Sequence, residues 1–354
     1  MKRTKMQSRI LLALAHTAIF FFLIVPASAQ SDQADESLKL REEVQNRGWL
    51  AYSSRSENGT WDIFLSRPDG SQRQNITNSA DYEEAAPRFS PAGDKLMYRR
   101  LPKGTTINHD QWGFQGELAT CNPDGSDPQI LGDEGDYPWA VWSADAKKIA
   151  CLTKKGIQII DLQSREIEKQ IPRNGIYQQL AWSPDEKWFC GTANYKNEYW
   201  TVVRMNIETS EINALRSYQN CTPDWYPDSN HVILSSRPAG QAGAKGYGYT
   251  QLWEVDGEGK QHKLLYGEDG LHIYGGAVSP DGAYVIFTRC PEDGGGAEKS
   301  GGTLCIIRMK DTPMVGGESP DLRQLHPDAK SGPMIEIDKG WEPHWTSAEI
   351  KAAP

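Results

Sequence analysis

The chain lacks most of the short motifs that identify a catalytic or metal-binding protein. Its 354 residues include six cysteines and seven histidines, but neither a Cys-x-x-Cys nor a His-x-His spacing occurs. The first spacing is typical of zinc and thiol-exchange sites, so the sequence supports neither. The Gly-x-Ser-x-Gly motif, which carries the nucleophile of α/β-hydrolases, is absent as well.

Positive charge is also scarce. The chain has 38 lysines and arginines against 47 aspartates and glutamates, which gives a formal net charge of −9. Residues 1–29 contain four basic residues and no acidic residue, so their removal would leave a net charge of −13. The composition therefore argues against nucleic acid and against anionic membrane surfaces as partners.

A long apolar run occurs near the N-terminus. Residues 10–25 are largely apolar, follow four basic residues and precede the small-residue site Ala27-Ser28-Ala29. This order predicts a signal peptide over residues 1–29, cleaved near Ala29, because the run is short for a membrane span. We expect an exported protein, periplasmic or secreted, without stable membrane insertion. Residues 30–46 are predicted to be a polar extension, either a tail or a short helix.

A turn motif recurs along the rest of the chain. Ser279-Pro280-Asp281-Gly282 lies between two apolar runs, which predicts a strand, a tight turn and a second strand. Related turns, aligned on the proline or its equivalent, occur at residues 91, 144, 184, 227, 280 and 347. Their spacing, mostly about 40 to 50 residues, is typical of β-propeller blades.

Further strands complete each repeat. A third strand such as Gln251–Val255 and a short fourth strand such as Lys263–Leu265 give four antiparallel strands per blade. The first unit starts at Trp49 without an opening strand, whereas the last, at Trp345, has only that strand. The C-terminal strand is therefore predicted to complete the first blade, which removes two open sheet edges. The predicted fold is all-β, a six-bladed propeller over residues 47–347 with a tail at 348–354.

The six ordered Ser-Pro-Asp-Gly-type turns resemble those of the TolB-like propellers, which are relatives of WD40-like repeat domains. The resemblance covers residues 47–347 and implies the fold. It implies little about function, because such propellers serve as scaffolds, enzymes and enzyme-flanking domains. TolB itself carries an α/β domain before its propeller, and residues 30–46 are too short to form one, so the role of TolB is not carried over.

Four of the six cysteines fall into two groups. Cys290 and Cys305 flank the glycine-rich loop 291–302 and are expected on adjacent antiparallel strands, where a disulfide would close the base of the loop. Cys151 and Cys190 occupy matching places in neighbouring blades, and we predict that they are small core residues.

A binding site is expected where the first strand of each blade begins. These strands line the central channel of a propeller, so six short segments should meet at one mouth of the channel. Carboxylates and aromatic rings dominate these segments, a combination that suits sugars, cationic groups or a peptide. The predicted ligand-binding residues are Glu84, Asp136, Tyr137, Tyr177, Asn220, His272, Tyr274, Trp341 and Glu342.

The first functional hypothesis is an exported, non-catalytic binding or scaffold propeller. It would be a monomer without a cofactor, and its partner would be a protein, a peptide or a glycan at the channel mouth.

The alternative is a metal-assisted, carbohydrate-active lyase or hydrolase. Oligogalacturonate lyases, propellers that resemble this pattern, place histidines and a glutamine on a divalent metal in the channel. The available residues here are scattered over the blades: His109, His231, His272, His344 and Gln111. A peptidase like the prolyl oligopeptidases is a third hypothesis, and the missing Gly-x-Ser-x-Gly motif counts against it.

Overall fold

The computed structural model of the chain describes residues 27–107, 112–196, 198–216, 219–237, 249–268, 270–291, 301–316 and 332–350. These residues form one helix, α1 (Ala27–Val44), a 3₁₀ turn (Trp112–Phe114) and a series of short strands. In chain order the strands are β1 (Trp49–Arg55), β2 (Trp61–Ser66), β3 (Gln74–Asn75), β4 (Tyr82–Phe89), β5 (Leu96–Pro102), β6 (Glu117–Cys121), β7 (Gln129–Leu131), β8 (Val141–Trp142), β9 (Lys148–Thr153), β10 (Gly156–Asp161), β11 (Ile167–Ile171), β12 (Ile176–Trp182), β13 (Trp188–Tyr195), β14 (Glu198–Asn206), β15 (Ile212–Ala214), β16 (Asn220–Trp225), β17 (His231–Ser236), β18 (Gln251–Asp256), β19 (Gln261–Gly267), β20 (Leu271–Val278), β21 (Tyr284–Pro291), β22 (Thr303–Arg308), β23 (Val315–Gly316), β24 (Met334–Lys339) and β25 (Trp341–Thr346).

The strands form six antiparallel sheets, which are the blades of a propeller. Blade 1 contains β25, β1, β2 and β3, and blades 2, 3 and 4 contain β4–β7, β8–β11 and β12–β15. Blade 5 contains β16–β19, and blade 6 contains β20, β21, β22 and β24. The short β23 adds to the outer edge of blade 5 through β19. The predicted all-β, six-bladed architecture is confirmed.

The ring is closed by the C-terminal strand, as predicted. β25 pairs with β1 in antiparallel register, with Trp49 opposite Thr346 and Leu50 opposite Trp345. The indole N–H of Trp345 also donates to the backbone oxygen of Arg47 at 2.7 Å. Because β1 and β25 come from opposite ends of the propeller segment, this pairing removes the two open edges of the ring.

The turn residues stabilise each hairpin through contacts within a few residues. Ser279 Oγ donates to Asp281 Oδ1 at 2.6 Å and accepts from the backbone N–H of Tyr284 at 2.9 Å. Ser183 and Asp185 make the same side-chain contact in blade 4 at 2.7 Å. These serine–aspartate pairs satisfy backbone groups of the turn, so the aspartates are structural.

Helix α1 packs across blades 1 and 6. Leu40 and Val44 are fully buried and belong to a core that includes Ile335 of β24. Glu43 accepts from Arg308 of β22 at 2.8 Å, and this ion pair holds the polar side of the helix. Residues 1–26, most of the predicted signal peptide, lie outside the described residues. Within the described part of the chain, no helix is long and apolar enough to cross a membrane.

The predicted disulfide between Cys290 and Cys305 is wrong. All six cysteines lie within the described residues, and none is bonded to another. Cys305 pairs with Phe287, three residues before Cys290 on β21. Because side chains alternate between the two faces of a strand, Cys290 and Cys305 point to opposite faces. Accordingly, they belong to different cores.

Candidate functional site

Each blade has a residue in the left-handed backbone conformation within its inner strand or, in blade 3, two positions before that strand. These six residues are equivalent in the repeat, since each stands four positions before the first turn residue. They are Ala86 (φ 51°), Trp139 (φ 52°), Gln179 (φ 56°), Thr222 (φ 50°), Gly275 (φ 60°) and Glu342 (φ 50°). Only glycine adopts this conformation without cost, and a β-branched residue such as Thr222 does so least readily. Conformations of this kind cluster at functional sites.

A β-bulge accompanies the left-handed residue in most blades. The pairing register shifts between Ala85 and Arg88 in blade 2 and between Cys221 and Asp224 in blade 5. Blades 1, 4 and 6 show corresponding shifts. Bulges bend a strand and change the direction of its side chains. Here all six left-handed residues line one cavity in the central channel.

The cavity has a volume of about 200 Å³. It extends sideways from the channel between blades 2 and 3, where Met97 and Leu118 contribute to its wall. Its charged, imidazole, amide and indole side chains are Arg88, Arg99, Asp224, Glu342, His344, Gln179, Trp112, Trp139, Trp142 and Trp182.

Arg88 and Glu342 form an ion pair in the wall of the cavity. Arg88 Nη2 lies 3.2 Å from Glu342 Oε2, and the Glu342 side chain is almost completely buried. Burial raises the pKa of Glu342, Arg88 and the indole of Trp112 lower it, and the nearby Asp224 raises it further. Glu342 therefore shares its surroundings with a second carboxylate.

That second carboxylate, Asp224, is less well satisfied. Its Oδ1 accepts from the backbone N–H of Trp225 at 2.9 Å. Burial within the ring of blades raises the pKa of Asp224, and Arg88 opposes that effect. The side chain keeps part of its surface open to the cavity, and among the described residues it has no ion-pair partner.

His344 is neutral in this environment. Burial and the neighbouring Arg88 lower the pKa of His344 to about 3. Its Nδ1 accepts from the backbone N–H of Phe89 at 3.2 Å. Because Nδ1 is an acceptor, the proton of the neutral ring is on Nε2.

Gln179 has an amide that is only half satisfied. Its Oε1 accepts from Thr192 Oγ1 at 2.6 Å and from the backbone N–H of Thr222 at 2.8 Å. These two donors determine the orientation of the amide. Its Nε2 is buried and has no hydrogen-bond partner among the described residues, although Gln179 as a whole is only 7% exposed.

The turn Trp112–Phe114 contributes an aromatic wall. Trp112 packs edge-on against Trp139, with ring centroids 4.4 Å apart, and the backbone N–H of Trp139 donates to the backbone oxygen of Gly113 at 3.0 Å. A Cβ atom on Gly113 would lie 2.2 Å from the Trp139 ring, so only glycine permits this approach. The turn belongs to the segment between β5 and β6, the insert of blade 2, which thus packs on blade 3.

Of the nine predicted ligand-binding residues, Glu342 lines the cavity. Tyr274 and Trp341 are buried in the core beside it. Asn220 bonds backbone groups of Val202 and Arg216, and His272 bonds Thr250 at 3.0 Å. The remaining four, which are Glu84, Asp136, Tyr137 and Tyr177, do not line the cavity either.

The residues available as metal ligands under the alternative hypothesis are not brought together where the structure describes them. His231 is paired with Asp228 in a turn at 2.6 Å, while His272 and His344 belong to blades 6 and 1. His109 and Gln111 lie outside the described residues. Among the described side chains there is no group of three or more His, Cys, Asp or Glu suited to a metal ion.

Sequence reasoning missed Arg88, Asp224 and Gln179. A signal for the first two exists in the repeat. Arg88, Asp224 and His344 all stand two positions after the left-handed residue, where blades 3, 4 and 6 have Val141, Ala181 and Ala277. Charged or polar residues in a column that is otherwise apolar would have indicated them.

Comparison with solved structures agrees with this architecture. TolB from Acinetobacter baumannii superposes with a TM-score of 0.59 at 17% identity, over 90% of this chain and 73% of that chain. A putative TolB from Agrobacterium tumefaciens gives 0.55 at 15% identity, over 85% and 94%. The chain has a TolB-like propeller fold. At these identities the likeness shows the fold and not the function.

Other comparisons add little. An oligogalacturonate lyase in complex with manganese reaches a TM-score of only 0.40 at 12% identity, over 75% of this chain and 72% of that chain, which is too low to carry an argument. No protein-family model matches this TolB-like propeller, and no curated protein is significantly similar to it.

Proposed function

We propose that this protein is an exported, non-catalytic binding propeller whose channel holds a peptide segment of a partner protein. The observation that carries the proposal is the half-satisfied amide of Gln179. A buried donor without a partner costs about 1–3 kcal/mol, and a backbone carbonyl of a bound segment would offset that cost. Asp224, which is open to the same cavity, offers an acceptor for a donor of the ligand.

The size of the cavity favours one part of a larger ligand. Pockets for complete small molecules usually measure roughly 300–1,000 Å³, whereas this one measures about 200 Å³. An oligosaccharide would not fit inside it. A single side chain of a peptide would fit, with the rest of the peptide lying on the surrounding face. The proposed binding residues are Glu342, which the sequence predicted, together with Gln179 and Asp224.

Export and monomeric state belong to the same proposal. The basic start, the apolar run 10–25 and the small residues 27–29 support cleavage near Ala29. Mass spectrometry of protein from a periplasmic or culture-medium fraction would test this. A mature N-terminus near Gln30 is expected, and an intact Met1 would contradict it.

Peptide binding can be tested without a known partner. A random peptide display library would be selected on the mature protein, and the affinity of the best peptide measured by fluorescence anisotropy. Gln179→Glu keeps both acceptor contacts of Oε1 but replaces the buried donor with an oxygen. We expect an affinity loss of about tenfold or more, which corresponds to about 1.4 kcal/mol.

The matched control is Gln158→Glu, on β10 in the outer part of blade 3, where Nε2 donates to Gln170. This change should leave peptide affinity unaltered. Unchanged affinity in a folded Gln179→Glu protein would contradict the proposed site. If no peptide is selected and the protein binds on a glycan array, a carbohydrate partner would be favoured instead.

A further inference from the structure

We infer that the channel cavity takes a cationic group, the ammonium of a lysine or the guanidinium of an arginine, from the bound segment. The inference rests on the proposed peptide-binding function, and it adds the chemical class of the group that enters the cavity.

The first step is the charge balance of the cavity. Arg88 and Glu342 neutralise one another at 3.2 Å. His344 contributes no charge, because its Nδ1 accepts a hydrogen bond in a buried, neutral ring. Asp224 remains, and no described residue pairs with it. Arg99, the other charged residue of the wall, donates to the backbone oxygens of Gln115, Gly116 and Asp136 at 2.7, 2.8 and 2.9 Å. Among the described residues of the cavity wall, an ionised Asp224 is therefore the carboxylate that has no cation at ion-pair distance.

The second step is the relation between the two carboxylates. Asp224 and Glu342 come from different blades and are close enough to repel one another. Two like charges in one buried site are unfavourable unless a cation lies near both. Arg88 forms an ion pair with Glu342 and acts on Asp224 from a longer distance, so a ligand cation would supply the direct contact that Asp224 lacks.

The third step concerns the walls. Four tryptophans line the cavity: Trp112, Trp139, Trp142 and Trp182. The indole of Trp142 is held in place by a hydrogen bond from Nε1 to the backbone oxygen of Arg88 at 3.2 Å. Aromatic walls attract cations and also accommodate the methylene stem of lysine or arginine. Both arginines of the wall are already engaged, Arg88 by Glu342 and Arg99 by backbone oxygens, whereas Asp224 keeps part of its surface open to a cation.

The test uses small molecules that resemble the ends of cationic, amide and carboxylate side chains. The mature protein would be titrated with n-butylguanidinium, n-butylammonium, butyramide and butyrate, and the indole N–H signals of its tryptophans followed by NMR. We expect saturable shifts of the cavity tryptophans with the two cations and none with butyrate. Equal responses to butyrate or butyramide would overturn the inference.

The decisive variant is Asp224→Asn, which removes the charge and keeps the shape. Cation affinity should fall about tenfold, whereas Asp81→Asn, at an exposed position outside the cavity, should leave it unchanged. Thermal unfolding of both variants would show that they are folded. Unchanged cation affinity in folded Asp224→Asn would also overturn the inference.

The same variants separate the two proposals. A selected peptide that loses affinity in Gln179→Glu but not in Asp224→Asn would overturn the cationic group and leave the peptide site in place. Cation binding that depends on Asp224, without any peptide affinity that depends on Gln179, would instead overturn the peptide site.

Discussion

Arg88 on β4 and Glu342 on β25 are 254 positions apart in the chain, yet Arg88 Nη2 lies 3.2 Å from Glu342 Oε2. The pair connects the inner strand of blade 2 with the strand that closes blade 1. The ion pair thus contributes both to the closure of the ring and to the charge balance of the cavity. Its removal should therefore lower the stability of the ring and change the charge of the cavity.

Replacement of Arg88 by methionine keeps most of the side-chain volume and removes the charge. The buried Glu342 carboxylate then has no cation beside it, and we expect a loss of about 2–4 kcal/mol in the free energy of unfolding. The pKa of Glu342, already raised by burial, should rise further above its unfolded value. The folded variant is therefore favoured at low pH and loses stability as the pH rises through the folded pKa. Urea unfolding at pH 5.5 and 8.5 would measure the difference.

Arg308→Met is the matched control, because Arg308 pairs with Glu43 where both side chains are partly exposed. Exposed ion pairs contribute about 0–1 kcal/mol, so this variant should stay within that range at both pH values. An Arg88→Met protein as stable as Arg308→Met would show that the pair at the cavity does not stabilise the ring.

Glu84 predicts a pH dependence of stability. It is 3% exposed, its Oε2 has no hydrogen-bond partner among the described residues, and burial raises its pKa to about 8 while Thr77 opposes the shift. The folded protein therefore keeps a proton that the unfolded chain releases near its ordinary pKa. Stability should fall by up to about 1.4 kcal/mol per pH unit as the pH rises between about 4.5 and 8.

Glu84→Gln should remove most of this slope, because an amide resembles the protonated acid at every pH. Glu57→Gln, at an exposed position, should keep the slope of the unmodified protein. Urea unfolding of all three proteins at pH 5, 6.5 and 8 would compare them. A Glu84→Gln slope equal to that of Glu57→Gln would show that Glu84 is not the group responsible.

The blades could be predicted from the sequence because their signals are local. The contact of Ser279 with Asp281 joins residues two positions apart. The apolar runs before and after this turn form strands whose two faces are both largely buried. Closure by β25 followed from counting strands at the two ends. None of these inferences required knowledge of which residues meet across the ring.

The site could not be predicted in the same way, because it depends on backbone conformation at the bulges. Most predicted residues, such as Glu84 and Tyr177, stand one to three positions before the left-handed residue and lie outside the cavity. The bulge instead presents Gln179 itself, and Arg88 and Asp224 two positions later. The prediction of a disulfide was wrong for a related reason. The loop between β21 and β22 suggested that Cys290 and Cys305 lie close together, but the register of the two strands places them on opposite faces.

The cysteine assignment gives a direct chemical prediction. Reaction of the protein with a thiol reagent in guanidinium chloride, without reductant, should titrate six thiols. In the native protein only Cys221, which is half-buried, should react readily, because burial raises the pKa of Cys151 and Cys305 to about 12. Four thiols in the denatured protein would indicate a disulfide and contradict the structure.

Arg99 should hold the insert of blade 2 against the channel. Its guanidinium donates to the backbone oxygens of Gln115, Gly116 and Asp136 at 2.7, 2.8 and 2.9 Å, and it is 2% exposed. In Arg99→Met, the carbonyls of Gln115 and Asp136 lose this donor, whereas Gly116 keeps the N–H of Gly135. We expect the turn Trp112–Phe114 to loosen from blade 3, so that hydrogen exchange over residues 112–116 becomes at least about tenfold faster.

Arg100→Met, at the next position on β5, is the control for that experiment. Arg100 points to the other face of the strand and pairs with Glu117 at 2.7 Å, where both side chains are partly exposed. Its loss should leave exchange over residues 112–116 unchanged. If both variants exchange at the same rate there, Arg99 does not position the insert. The aromatic wall would then be held by the packing of Trp112 on Trp139 and by the hydrogen bond from the Trp139 backbone N–H to the Gly113 oxygen.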